Sequence, residues 1–333
     1  MTKLKAALFY DYPPSDGVVF DDAVRARLAG MTTLYPEVVH ATNFDQHAPH
    51  LADLEVIFAT WGMMHFSPEQ LARLPKLKAV FYAAGNVKAF ARPLVDNSII
   101  LVSAWAINAI PTSEMCFAQI LLSLRGYFRA VRNYREQRNF SAKAFPRSGA
   151  AHEVIGMIGT GHIAQRVIGR LRELPLTLIA SDPMLTPARA AQLGVELVPL
   201  DELFRRALIV SNHTPDLEWT RGTLGAPLFE SMREGATFIN TGRGAQVVEA
   251  DLARVLQARP DLTALLDVTA PEPPPQESML WQLPNVVISP HIGGTIGNEV
   301  GRLAECAIEE FEAWQAGRAL RYQVTQEVLR TMG

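Results

Sequence analysis

Residues 154–167 read VIGMIGTGHIAQRV. The uncharged run 154–158 suits a strand buried on both faces, and from Ile163 the apolar positions return at helical spacing. Gly159-Thr160-Gly161 lies between them. Gly159 permits a tight turn, Gly161 lets the backbone approach a pyrophosphate without a Cβ in the way, and Ala164 is small enough for close helix–strand packing. An anion at this turn would meet the free N–H groups and the positive dipole end of the helix. A glycine turn alone requires no ligand; the strand before it and the helix after it supply the context. The following strand ends in Ala180-Ser181-Asp182-Pro183, and Asp182 stands twenty-one residues beyond Gly161. That is near the spacing of the acid that accepts ribose hydroxyls and repels a 2′-phosphate. Alone, Asp182 could simply shape a turn before Pro183. Joined to the glycine loop, it favours NAD over NADP.

Outward from this stretch, strands are expected at 154–158, 176–181, 207–212, 237–240, 263–267 and 286–289, with helices between most of them, for example at 163–173 and 249–257. Six strands in this order match a doubly wound dinucleotide-binding sheet. The first hundred residues alternate in the same manner. Strands are expected at 4–9, 56–60, 77–84 and 99–102, and helices at 21–29 and 67–74, the latter with Ser67 as cap and Pro68 in its first turn. Buried strands alternating with helices imply a parallel sheet covered on both sides. One long helix is expected from Pro111 to residue 137, apolar at its start and charged at its end, placed to lead from one domain to the next. A last helix at 297–314 follows the final strand with nothing of its own to cover.

With 333 residues, the chain has room for about two domains. It is 48% hydrophobic and 20% charged, with mean hydropathy +0.07, as in packed soluble proteins. A net charge of −3 and a pI near 6.3 provide no basic field for nucleic acid. Two cysteines, Cys116 and Cys306, exclude a disulfide framework and a cysteine metal site; both sit in apolar helical patterns as buried thiols, and no metal is expected. The opening MTKLKAALFYDYPP reaches Asp11 too early for a signal peptide, and the uncharged stretch 97–113 is too short and too polar to span a bilayer. A cytoplasmic protein with no membrane partner is expected.

Three polar residues stand just past strand ends in the second half. Arg243 lies in INTGRGAQVVE, Glu272 in LLDVTAPEPPP and His291 in VVISPHIGG. Ligands of open α/β sheets bind beyond the carboxyl ends of the strands, so these three should converge on one crevice. Any one of them alone would more often be structural.

At this point the chain resembles the D-isomer-specific 2-hydroxyacid dehydrogenases, the family that contains phosphoglycerate dehydrogenase and the glyoxylate/hydroxypyruvate reductases. The resemblance spans nearly the whole sequence and rests on GTGHIA, Asp182, HTP at 213–215, NTGRG at 240–244, DVTAPEP at 267–273 and PHIGG at 290–294. It implies an α/β fold of two Rossmann-like domains. A discontinuous flavodoxin-like substrate domain, 1–103 plus 295–333, would carry an inserted NAD-binding domain, 104–294. It implies catalytic Arg243, Glu272 and His291. NAD contacts are implied at Gly159, Gly161, His162, Ile163 and Asp182, at His213, Thr214 and Pro215, and at Thr241, Gly242 and Arg243. Others are implied at Asp267, His291, Gly293 and Gly294, and at Thr112, in the junction segment NAIPTSE. The substrate carboxylate would meet Arg243 and the backbone of the loop Ala84, Gly85, Asn86, although 86–88 departs from the family's Gly-x-Asp-Asn pattern. Lys88 is either solvated or a contact for a second anionic group, and Trp61 is either a pocket wall or core. A homodimer is the family expectation.

Reduction of a 2-oxo acid leaves negative charge on the carbonyl oxygen, and an imidazolium can supply the proton there. His291 suits that task, Glu272 would hold its other ring nitrogen, and Arg243 offers a planar fork to the carboxylate. The partner expected is therefore a small 2-oxo or 2-hydroxy acid, from glyoxylate, hydroxypyruvate or pyruvate to phosphohydroxypyruvate and bulkier acids. The length leaves no room for the regulatory domain of some phosphoglycerate dehydrogenases. A formate dehydrogenase would have Gln in place of Glu272. A phosphite dehydrogenase and a non-catalytic NAD-sensing protein of the same fold are the alternatives.

Overall fold

The computed structural model describes residues 3–12, 18–143 and 149–331. Residues 1–2 and 332–333, the ends of the expected first domain, lie outside the described residues, as do Pro13 and Pro14 of the opening segment. The chain divides into two compact units, Met1–Ala109 with Thr295–Gly333, and Ile110–Gly294.

In the first unit, β1 (Lys5–Phe9), β2 (Thr33–Val39), β3 (Val56–Ala59), β4 (Ala79–Tyr82) and β5 (Ile100–Ser103) form a sheet in the order β2-β1-β3-β4-β5. All pairings are parallel, the flavodoxin-like arrangement. Side chains alternate between two apolar layers: Val56 and Phe58 enter one, Ile57 and Ala59 the other. The helix Gly301–Gln315 covers the first layer, with the Phe311 ring 5.1 Å from Phe58 and 5.5 Å from Phe81. The terminal helix that the sequence leaves without a face to cover therefore packs on the N-terminal sheet. Its first residues differ from expectation, Gly297–Glu299 forming a short 3-10 turn. Ser67 caps the helix Pro68–Ala72, accepting from the Gln70 N–H while the Gln70 side chain accepts from the Ser67 N–H. The strand β2 is an addition to the four expected. Only Val39 of its seven residues is buried, it carries Pro36, and it pairs across a register shift between Ala6 and Leu8, so no buried run announces it.

The second unit holds β6 (Val154–Ile158), β7 (Thr177–Ser181), β8 (Glu196–Leu197), β9 (Ile209–Asn212), β10 (Thr237–Asn240), β11 (Thr263–Leu266) and β12 (Val286–Ile288). Their order is β12-β11-β10-β9-β6-β7-β8, again parallel throughout. This is the six-strand doubly wound order, two mononucleotide-binding halves meeting between β6 and β9 where the strand order reverses, with one further strand, β12, beyond β11. The two-residue β8 is too short to leave a periodic signal. The single helix expected from Pro111 is two helices. Trp105–Leu124 takes Pro111 into its interior, and Tyr127–Gln137 follows a left-handed Gly126. The first helix thus begins six residues before Pro111, not after it. No helix of the described residues is long and apolar enough to cross a membrane.

Candidate active site

The glycine turn follows β6 directly. Gly159 has φ +79°, and a Cβ there would come within 3.1 Å of the His213 carbonyl oxygen, so only glycine fits both the conformation and the space. The Gly159 N–H donates to the Ser181 carbonyl at 2.9 Å, which ties the turn to the end of β7. A Cβ on Gly161 would meet nothing within 4 Å. The helix His162–Leu171 starts there with no side-chain cap and no acid in its first turn, which suits a phosphate. Ala164 is fully buried in the apolar layer beneath, and Ile163 packs against the same layer. Partial burial and neighbouring Arg166 push His162 toward its neutral form. Asp182 sits on this turn: its Oδ2 accepts from the Thr160 N–H at 2.8 Å and the Thr160 hydroxyl at 2.6 Å, and its Oδ1 from the Met184 N–H at 2.8 Å. An open cradle, a bare helix N-terminus and an acid beside them fit a dinucleotide.

Around β9 and β10 a buried amide network fixes the next loops. Asn212 and Asn240 end these strands in matching register, and Asn212 Nδ2 donates to Asn240 Oδ1 at 3.0 Å and to Gln246 Oε1 at 3.2 Å. Asn212 Oδ1 accepts from the Thr214 N–H, Asn240 Oδ1 from the Gly242 N–H, and Gln246 Oε1 from the Arg243 N–H. Gln246 Nε2 reaches the Pro215 carbonyl at 3.2 Å. The HTP and NTGRG loops are thus one hydrogen-bonded body. His213 stands apart from it: its ring is buried, Nε2 lies 2.9 Å from Ser211 Oγ, and Nδ1 has no partner among the described residues. Burial pushes its pKa down to about 4. Thr241 Oγ1 lies 2.9 Å from Cys116 Sγ, a thiol that burial raises to about 12. Thr112 is buried within Trp105–Leu124.

Arg243 is partly buried, and its Nη1 donates to the Gly242 carbonyl at 2.7 Å. Burial presses the guanidinium below the usual arginine range, opposed by Glu272 and Asp216. The residue after it, Gly244, lies against the loop that follows β11. A Cβ there would fall 2.0 Å from the Thr269 carbonyl carbon. That contact brings the Arg243 and Glu272 loops together. Glu272 Oε2 is 2.7 Å from His291 Nδ1, and Glu272 Oε1 accepts from the Thr269 N–H at 3.4 Å. Glu249, whose Oε1 takes the Ala270 N–H at 2.6 Å, has its carboxyl pushed up, first by burial and further by Glu272.

His291 has φ +53°, a left-handed conformation that costs a non-glycine residue energy and is held by its surroundings. Asp267 does the holding. Its carbonyl accepts from the His291 N–H at 3.1 Å. Its Oδ1 accepts from Ser289 Oγ at 2.6 Å and the Ile292 N–H at 2.9 Å, and its Oδ2 from the Gly293 N–H at 2.8 Å. Asp267 is 3% exposed, so its visible work is to shape the PHIGG loop. Gly294 is the last residue of this unit.

Arg243, Glu272 and His291 therefore follow three neighbouring strands, with Glu272 and His291 in direct contact. Asn212, Asn240, Gln246 and Ser289 were not among the expected site residues. The strand endings IVSN and TFIN mark Asn212 and Asn240 as buried amides that need partners, but they do not say which, and Gln246 and Ser289 carry no such mark.

In the first unit, the Ala84–Gly85 carbonyls both accept from Ser103 Oγ, and Asn86 Oδ1 accepts from the Lys88 N–H at 2.8 Å. Asn86 thus spends its side chain on the turn. Trp61 is half-buried against the apolar core, its ring 5.3 Å from that of Tyr12.

Residues 117–293 match the family model described as D-isomer specific 2-hydroxyacid dehydrogenase, NAD binding domain. The chain is 33% identical over 227 residues to D-3-phosphoglycerate dehydrogenase of Archaeoglobus fulgidus, covering 65% of this chain and 43% of that protein. It is 32% identical over 252 residues to D-3-phosphoglycerate dehydrogenase of Mycobacterium tuberculosis, covering 75% of this chain and 47% of the relative. The matches thus span less than half the length of these curated relatives. A phosphoglycerate oxidoreductase from Rhizobium etli shares the fold, with a TM-score of 0.79 at 21% identity over 98% of this chain and 99% of that one.

Proposed function

The chain belongs to the D-isomer-specific 2-hydroxyacid dehydrogenase family, with an NAD-binding domain in its second unit, and from that premise we propose that it transfers hydride between NAD(H) and a small 2-hydroxy or 2-oxo acid. The observation that carries this proposal is the 2.7 Å contact between Glu272 Oε2 and His291 Nδ1, on loops beside the one that bears Arg243. When bound, the nicotinamide gives or takes the hydride.

His291 acts as the acid/base. With Nδ1 engaged by Glu272, Nε2 is the nitrogen left to deliver a proton to the substrate oxygen during reduction. The Glu272 carboxylate accepts the Nδ1–H, fixes the tautomer and compensates the charge of the doubly protonated ring. Arg243 grips the substrate carboxylate with its fork and polarises the neighbouring carbonyl. Its burial strengthens both interactions, because fewer waters compete. The glycine turn and the N-terminus of His162–Leu171 hold the cofactor's phosphates, and Asp182 lies on the ribose side, favouring NAD. Asp267 keeps His291 in its left-handed position, and the amide network keeps Arg243 in its loop.

We also propose a homodimer. The helix Tyr127–Gln137 and the segment after it expose Tyr127, Val131, Tyr134 and Phe140, the last 73% exposed, beside the edge strand β12 with exposed Val287. These exposed apolar side chains, grouped on one helix and the segment after it, support an association surface there.

The test is a panel of 2-oxo acids, from glyoxylate, hydroxypyruvate and pyruvate to phosphohydroxypyruvate and bulkier acids, offered with NADH while its absorbance is followed. Oxidation with at least one acid is expected. Tight NADH binding without turnover of any would overturn the enzymatic reading and leave a nucleotide-binding protein.

A further inference from the structure

Asp182 is more fully engaged than its ribose-side task requires. A carboxylate offers about four lone-pair sites, and Thr160 and Met184 already take three of them. Two of these donors are backbone N–H groups, which any residue at those positions would supply: Thr160 N–H on Oδ2 and Met184 N–H on Oδ1, each at 2.8 Å. The third, the Thr160 hydroxyl on Oδ2 at 2.6 Å, belongs to this side chain alone. Thr160 is 7% exposed, and its carbonyl accepts from Gln165 Nε2 at 2.8 Å, so the residue is held and the hydroxyl has little water to turn to.

We propose that the Thr160 hydroxyl tempers the cofactor selectivity of Asp182. By donating to Oδ2 it withdraws an acceptor from an incoming ribose, whose two hydroxyls bind best to one free site on each oxygen. It also draws off part of the negative charge that would repel a 2′-phosphate. Discrimination between NAD(H) and NADP(H) is therefore narrower than a bare aspartate at this position would impose. Thr160 acts through Asp182 and is a positioning residue. The proposal rests on the reading of Asp182 as the ribose-side acid.

Isothermal titration with NAD+ and with NADP+ gives the ratio of the two dissociation constants without any turnover. Thr160→Val keeps the shape and the backbone donor but deletes the hydroxyl. It should widen the preference for NAD+ by about tenfold or more, the scale of one hydrogen bond to a charged group. Thr160→Ser retains the hydroxyl and should stay within about twofold of the parent, which separates loss of the hydrogen bond from a general disturbance of the turn. Asp182→Ala should erase the preference. If Asp182→Ala does so while Thr160→Val matches the parent or narrows the ratio, the role of Thr160 is refuted and that of Asp182 stands. If Asp182→Ala leaves the ratio unchanged, the ribose-side reading itself falls and this proposal falls with it.

Discussion

At the scale of single residues, Arg243 and His213 make separable demands. Arg243 is partly buried beside two acids and is proposed to hold a carboxylate through a planar fork. A lysine would keep the charge but not the fork, so Arg243→Lys should lower kcat/KM at least about tenfold, or about 1.4 kcal/mol. Steady-state kinetics close to the parent's would remove Arg243 from that task. His213 bears on stability. Its folded pKa of about 4 lies below the free value of 6.5, so the unfolded chain binds the proton more readily. The contribution is whole above the free value and is lost as pH falls from there through the folded value, on the order of 3 kcal/mol across the window. Melts of the parent and of His213→Gln at about pH 7 and about pH 4.5 should show the larger loss in the parent. Equal losses would mean that the ring is not buried in its neutral form.

At the scale of elements, the site is made by loops that leave neighbouring strands, and their spacing rests on close backbone contact. Gly244→Ala alters none of the three proposed catalytic side chains, yet its methyl would overlap the Thr269 carbonyl. We expect a stability loss of about 1–3 kcal/mol and at least about a tenfold fall in kcat/KM, read by thermal melting and steady-state assay. Native values for both would show that the loops do not depend on this contact. The elements themselves were legible where burial gives a pattern. Short apolar runs such as IVSN and TFIN, set between helical stretches, read as buried strands, whereas β2 and β8 were invisible, one only partly buried and interrupted by Pro36, the other two residues long. The Glu272–His291 contact could be expected from the chemistry each residue serves. The amide network of Asn212, Asn240 and Gln246 could not, because it arises from strand register, which only the folded sheet defines. For the same reason Asp267 drew attention as a cofactor contact, while its structural partners are Ser289 and the backbone of its own neighbouring loop.

At the scale of the whole molecule, sequence order and spatial order part company. The chain builds one sheet, then a second, and returns to place Phe311 on the first. The periodicity of the last helix revealed an apolar face but not its destination, since a destination 250 residues upstream leaves no local trace. The exposed aromatic surface of Tyr127–Gln137 makes an assembly prediction: light scattering in solution should report twice the chain mass of 36.7 kDa. A single-chain mass would contradict the proposed dimer. The proposed reaction depends on His291 passing a proton to a substrate oxygen, and His291→Asn removes that proton donor. With whichever 2-oxo acid the parent reduces, the variant should bind NADH within about threefold of the parent while turnover falls at least about a hundredfold, the usual scale of a lost general acid. Turnover within about twofold of the parent would mean that His291 is not the proton donor.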